Sequence, residues 1–292
     1  MTYDIVTAAG SLLNLGGFAY LTYTCCDILL RRRKHPAFCE KTPESLEIEA
    51  FVHGAVCASY SGRCVLSNYL TGRDANQGQC AQTCRWKYAL VEEKRPGEYM
   101  PVFEDARGTY FYSANDLCMI AHLKELVDAG VCSFKIEGRM KTDYYVATVV
   151  GAYRRAIDNL MEHPDAPFDE KLLREVGNAS HRKFGTGFYF TSRPADPPGT
   201  VEYERSADYI AKVLEVRPDG VALVEQKNKF TAGETLQWMS PAGSVDFICE
   251  NMTDEEGQLI DCAPHPKQRV LLPLPEGAQA GDFIRRRIPE KV

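Results

Sequence analysis

Between residues 46 and 161 the spacing of apolar side chains switches repeatedly from a period of two to a period near 3.6, and this alternation limits the possible folds most. LEIEAFVHG (46–54) alternates strictly. Glu47, Glu49, Phe51 and His53 share one face and Ile48, Ala50, Val52 and Gly54 the other, which predicts a strand with one polar side. TYFYSAND (109–116) predicts a second strand ending at Asn115 and Asp116. Met119, Ile120, Leu123, Leu126 and Val127 then recur at helical spacing, and Gly130 stands where a C-capping glycine belongs. VCSFKIEGR (131–139) predicts a third strand, with Val131, Ser133, Lys135, Glu137 and Arg139 on one face. Residues 142–161 predict a second helix with Thr142 as its N-cap.

Strands alternating with helices are the grammar of a parallel α/β architecture, most simply a (β/α) barrel. The fold class expected is therefore α/β, a partial TIM-like β/α barrel over 46–162. Its reactive groups belong at the C-terminal strand ends, where His53, Asp116, Glu137 and Arg139 fall, with Cys57 and Cys118 just beyond. Residues 163–207, rich in Pro, Gly, Ser and Asp, read as a connector. From 208 to 292 short strand-like runs alternate with turn residues, which predicts a small all-β barrel domain.

Five of the eleven cysteines, Cys57, Cys64, Cys80, Cys84 and Cys118, lie between residues 46 and 118. Thiolates select zinc, copper(I) or iron–sulfur centres, so the group points to a metal site; the plainer alternative is a set of small buried hydrophobes. Cys132 begins its strand on the opposite face and falls outside the set, while Cys249 and Cys262 lie within C-terminal strands, where packing is the usual role. His53 is either a satisfied core histidine or a functional group close to Cys57. Glu137 and Arg139 either pair with each other or Lys135, or bind an anionic substrate, for which arginine offers a bidentate fork. Arg73, Arg85, Lys87, Lys94, Arg95, Arg285, Arg286 and Arg287, with Trp86, Tyr88 and Tyr99, suit either RNA contact or a solvated face.

With 292 residues, 45% of them apolar and 25% charged, the chain has ordinary globular composition and room for two domains. A net charge of −6 argues against a protein dominated by nucleic-acid electrostatics. The N-terminus lacks the basic region of a signal peptide, which predicts a cytoplasmic protein with reduced thiols. Ile5 to Leu30 is largely apolar and precedes Arg31–Lys34. We read it as two short buried elements joined at Gly16 and Gly17 rather than a membrane anchor, because Asn14, Asp27 and the glycine pair lower its hydrophobicity.

The stretch EAFVHGAVCASYSGRCVLSNYLTGRDANQGQCAQTCRWKY, followed by KIEGRMKTDYYVATVVGAYRRAID, resembles the U32 collagenase-like peptidase family, and the resemblance extends from 46 to about 288. It implies an oxygen-independent hydroxylase carrying a [4Fe–4S] cluster and acting on RNA, with tRNA wobble uridine as the leading substrate and prephenate as hydroxyl donor. The implied cluster ligands are Cys57, Cys64, Cys80 and Cys118, with Cys84 competing for the third position and zinc as the alternative metal. Here His53 or Glu137 would move protons and Arg139 would hold a carboxylate or an RNA phosphate. The family's older name implies a peptidase instead, with a cysteine nucleophile and His53 as base, although neither HExxH nor Gly-x-Ser-x-Gly is present. A third reading is a non-catalytic piece that binds RNA or a partner. The resemblance as read does not take in residues 1–45, where members of the family are expected to carry a longer barrel portion. Three strands do not close a barrel of about 250 residues, so a truncated chain or a second chain completing the barrel is expected.

Overall fold

The computed structural model describes residues 5–7, 47–57, 64–86, 89–90, 97, 100–101, 115–190 and 203–289. They divide into two compact units. The first comprises Met1–Lys141, Arg154–Asp169 and His181–Tyr203; the second comprises Thr142–Tyr153, Glu170–Ser180 and Glu204–Val292.

The first unit is built on five strands: β1 (Ile5–Thr7), β2 (Glu49–Ala55), β3 (Asp116–Cys118), β4 (Ser133–Ile136) and β5 (Phe184–Gly185). Their order is β1-β4-β2-β3-β5. All neighbours run parallel except β2 and β3, which are antiparallel. This corrects the barrel expectation. A (β/α) barrel needs every strand parallel and joined by crossovers, whereas one reversed pair makes the sheet mixed, and no closed barrel forms among the described residues. The predicted strand at 109–116 is also revised: β3 starts at Asp116 instead of ending there, and 109–114 lie outside the described residues.

Alternation in β2 works as read up to Phe51. Ala50 and Val52 are buried with Phe134 and Ile136 of β4, while on the other face Ser133 Oγ donates to Glu49 Oε2 (3.0 Å) and Lys135 Nζ lies 3.2 Å from Glu49 Oε1. Between Phe51 and His53 the register with β4 shifts, so that His53 is paired with buried Ile136. That irregularity takes His53 off the polar face and into the interior, where it is 1% exposed.

The described residues include the helices α1 (Leu66–Thr71), α2 (Leu123–Asp128), α3 (Asp143–Glu162) and α4 (Glu170–Val176), of which α2 and α3 match the two helices expected from the sequence. Gly130, at φ 88°, ends α2 as predicted, and the Val131 N–H closes onto the Leu126 carbonyl at 3.0 Å. Thr142 Oγ1 accepts the Tyr145 N–H at 3.2 Å, the expected N-cap of α3. The segment read as a connector contributes α4 and β5.

In the second unit six strands form one antiparallel sheet: β6 (Ala207–Val216), β7 (Val221–Gln226), β8 (Thr235–Ser240), β9 (Gly243–Ile248), β10 (Arg269–Pro273) and β11 (Phe283–Arg287). The order is β9-β8-β11-β6-β7-β10. The all-β expectation holds, but the hydrogen-bonded order has two ends, so among the described residues the sheet is not a closed barrel. Ile210, Val224, Phe230, Leu236, Val270 and Ile284 are buried in its core. Cys249 is fully buried there too, and burial with the nearby Glu234 pushes its thiol up to about 11, which fits a packing role. No helix among the described residues is long and apolar enough to cross a membrane, and 8–30 of the apolar N-terminal run lie outside them.

Candidate functional site

Because β3 is antiparallel to β2, its first residue lies beside the last residue of β2: Asp116 is paired with Ala55. Asp116 therefore does reach the C-terminal end of β2, though by strand reversal rather than by ending a strand. Arg182, just before β5, meets it there. Its Nε (2.9 Å) and Nη2 (2.6 Å) both donate to Asp116 Oδ1, and its backbone N–H donates to Oδ2 at 3.1 Å. Both side chains are buried, at 2% and 1% exposure. Arg182 Nη1 is buried as well and meets no acceptor among the described residues. Sequence reasoning missed this pair because Arg182 lies in the supposed connector. The available signal was the basic pair Arg182–Lys183 in the run SHRKFGTGFYF.

His53 belongs to the same neighbourhood. Its ring lies edge-on to Phe184 (5.5 Å), which stacks on His181 (3.9 Å), and His181 Nδ1 is 2.7 Å from the Arg182 carbonyl oxygen. Burial pushes the His53 pKa down to about 3, the favourable charge of Asp116 offsetting only part of that effect. The imidazole is neutral near pH 7. Taking a proton from an ordinary thiol of pKa about 8.5 would be uphill by about 7 kcal/mol, so His53 is a poor base for a cysteine nucleophile.

Glu137 and Arg139 follow β4. The Glu137 N–H donates to the His53 carbonyl at 2.8 Å, which holds this loop against β2. The approach is so close that a Cβ on Gly54, at φ +128°, would lie 2.4 Å from the Glu137 carbonyl oxygen; only glycine fits. Glu137 Oε1 accepts the Arg139 backbone N–H at 2.9 Å. The guanidinium of Arg139 lies near Gly78, where an added Cβ would be 3.8 Å from its Cζ. The alternatives left open by the sequence are thus narrowed: these residues meet through a side chain and a backbone N–H, and Arg139 reaches the cysteine-bearing segment.

That segment, 64–86, is tied by short polar contacts. Asn76 Nδ2 donates to the Cys64 carbonyl (3.1 Å), and Ser67 Oγ accepts the Ala81 N–H (3.0 Å) while donating to the Arg73 carbonyl (2.8 Å). Cys64, Cys80 and Cys84 therefore sit on one knotted stretch. Cys57 is exposed, two residues past β2, whereas Cys118 is buried and paired with His53. Strand reversal sets Cys118 level with His53, which precedes Cys57 by four residues in the sequence. None of the described cysteines is in a disulfide, so the donor chemistry suits zinc or an iron–sulfur cluster. The arrangement itself gathers no three Cys, His, Asp or Glu side chains into a metal-holding group among the described residues. Cys132 is engaged elsewhere, with its Sγ accepting the Ile48 N–H at 3.1 Å.

The proposed basic patch is corrected in part. Arg285 is 2% exposed and grips both oxygens of Glu175 (2.8 and 2.9 Å), and Arg286 pairs with Asp208 and Glu234, so neither is a free RNA contact. Trp86 is 49% exposed and Arg73 exposed, as an RNA surface requires, while Lys87, Tyr88, Lys94, Arg95 and Tyr99 lie outside the described residues.

A mixed α/β sheet with several cysteines in the sequence after its second strand, followed by an all-β C-terminal region, defines a two-part class of protein. The sequence model of peptidase family U32 matches residues 35–197, and that of the peptidase family U32 C-terminal domain matches 205–285. The chain belongs to peptidase family U32. It is similar to tRNA hydroxylation protein P of Escherichia coli (36% identity, 79% of this chain, 60% of the relative) and to a collagenase of Porphyromonas gingivalis (35% identity, 85% and 60%). It also resembles the 23S rRNA 5-hydroxycytidine C2501 synthase of E. coli (42% identity, 39% and 16%). The chain thus spans about 60% of the length of the first two.

Proposed function

We propose that this chain belongs to an enzyme that hydroxylates RNA without oxygen, most specifically the wobble uridine of tRNA, with prephenate supplying the hydroxyl group. The observation that carries the reading is the match to tRNA hydroxylation protein P over 79% of the chain, joined by the rRNA hydroxycytidine synthase. In this proposal Cys57, Cys64, Cys80 and Cys118 hold a [4Fe–4S] cluster, with Cys84 in reserve, and the protein works in the cytoplasm beside its RNA. The cluster, when bound, supplies one-electron redox chemistry tuned by its surroundings. The chain's own residues have separate tasks. His53 is neutral and orients its neighbours by packing. Glu137 fixes the loop that carries Arg139, and Arg139 offers its guanidinium next to the cysteine segment. Exposed Trp86 and Arg73 suit stacking and phosphate contact with an unpaired RNA loop.

A peptidase reading has the collagenase relative in its favour. Against it stands His53, whose pKa near 3 leaves a cysteine nucleophile without its base. The test is anaerobic purification followed by measurement of iron, sulfide and zinc and of absorption near 400 nm, together with wobble-uridine hydroxylation in cells carrying Cys57→Ala. Iron and sulfide in the protein and loss of the modification are expected. Zinc alone, or no metal, refutes the cluster; unchanged hydroxylation refutes the RNA assignment.

A further inference from the structure

Among the described residues two buried arginines are satisfied to different degrees. In the second unit Arg285 engages all three nitrogens: Nε with Gln237 Oε1 (2.6 Å), and Nη1 and Nη2 with the two oxygens of Glu175 (2.8 and 2.9 Å). In the first unit Arg182, 1% exposed, engages only Nε and Nη2, both on Asp116 Oδ1. Its Nη1 carries two N–H donors, is buried, and meets no acceptor among the described residues.

A guanidinium is a rigid planar fork, so engaging Nε and Nη2 side-on turns Nη1 away from Asp116. Nη1 and the second hydrogen of Nη2 then present two parallel donors, the spacing that a carboxylate accepts bidentately. Buried charged donors are rarely left without an acceptor, and one that a protein does not satisfy itself is a place for a ligand to do so. The location favours the same conclusion. Asp116 anchors Arg182 beside Ala55, at the end of β2 from which the chain runs on to Cys57.

We propose that Arg182 is the anchor for a carboxylate of a small-molecule ligand at the β2–β3 strand end. A small molecule fits better than an RNA phosphate because the donor is buried. The anchor rests on the function proposed above only in naming the ligand as the hydroxyl donor.

The test is calorimetric titration of the full chain with prephenate, malonate and a short RNA oligonucleotide. Arg182→Lys keeps a cation on Asp116 but removes the fork, and should weaken carboxylate binding about tenfold or more. The neutral pair Asp116→Asn with Arg182→Gln avoids an unpaired buried charge and should abolish binding while retaining a native circular dichroism spectrum. Should either variant not fold, the arginine side-chain NMR resonances of the wild-type protein still decide, since prephenate must shift those of Arg182. No binding of either carboxylate, unchanged affinity in Arg182→Lys, unshifted Arg182 resonances, or competition by RNA alone would overturn the anchor. Carboxylate binding at Arg182 without RNA hydroxylation in cells sinks the proposed function and leaves the anchor. Hydroxylation with unchanged donor affinity in Arg182→Lys sinks only the anchor.

Discussion

Replacing His53 with leucine removes a group that is neutral in the folded chain but charges in the unfolded chain as the pH falls. Burial lowers its pKa from 6.5 to about 3. Between those values the unfolded state binds the extra proton, so stability present above pH 6.5 is lost as the pH falls toward 3. At pH 5 the unfolded imidazole lies about 1.5 units below its own pKa while the folded one is still unprotonated, which amounts to about 2 kcal/mol. Full burial means that solvent does not screen this term. Urea unfolding at pH 8 and pH 5 measures it, with Trp86 of the first unit as the fluorescent probe in a Trp238→Phe background. The parent protein should lose about 2 kcal/mol more than His53→Leu across that interval, other titrations cancelling in the difference. Equal losses would show that His53 is not buried neutral, and with that the case against a histidine-assisted cysteine nucleophile would fall.

Gly54→Ala should destabilise the first unit by about 2 kcal/mol or more, because it combines a positive φ with a Cβ placed against the Glu137 carbonyl; a thermal melt unchanged from wild type would refute the close approach. Arg285→Met strands the mostly buried Glu175 carboxylate and should cost about 3–5 kcal/mol in urea unfolding, whereas Arg285→Met with Glu175→Leu should recover most of it. A double variant no more stable than the single one would show that the pair is not what holds these residues.

Local patterns were legible wherever neighbours in sequence settle the outcome. The alternation of 46–51, the Thr142 cap, the Gly130 stop and the short C-terminal strands all depend on residues a few positions apart. Strand direction does not. Nothing in TYFYSAND or the residues after it states that β3 runs against β2, and that reversal makes the sheet of the described residues mixed, sets Cys118 level with His53 and brings Asp116 to the strand end. Charge patterns also conceal burial. Arg285, Arg286 and Arg287 look alike as a basic run, yet in a strand of this sheet Arg285 turns inward to Glu175 and Arg287 stays 69% exposed. The cysteines were visible as a group because thiols are rare and chemically distinctive. Arg182 was not, because an arginine in a segment without apolar periodicity gives no sign of which residue it will meet.

The Asp116–Arg182 pair joins residues 66 positions apart, and this sets a timetable for the newborn chain. At about 5–20 residues per second, a ribosome takes about 3 to 13 s to add Arg182 after Asp116. Throughout that interval β3 has no β5 beside it, and the Asp116 carboxylate must remain hydrated, since burying it alone would be strongly unfavourable. The β2–β3 edge is therefore among the last parts of the first unit to close, and until then it is the surface on which a chaperone or a neighbouring nascent strand can act.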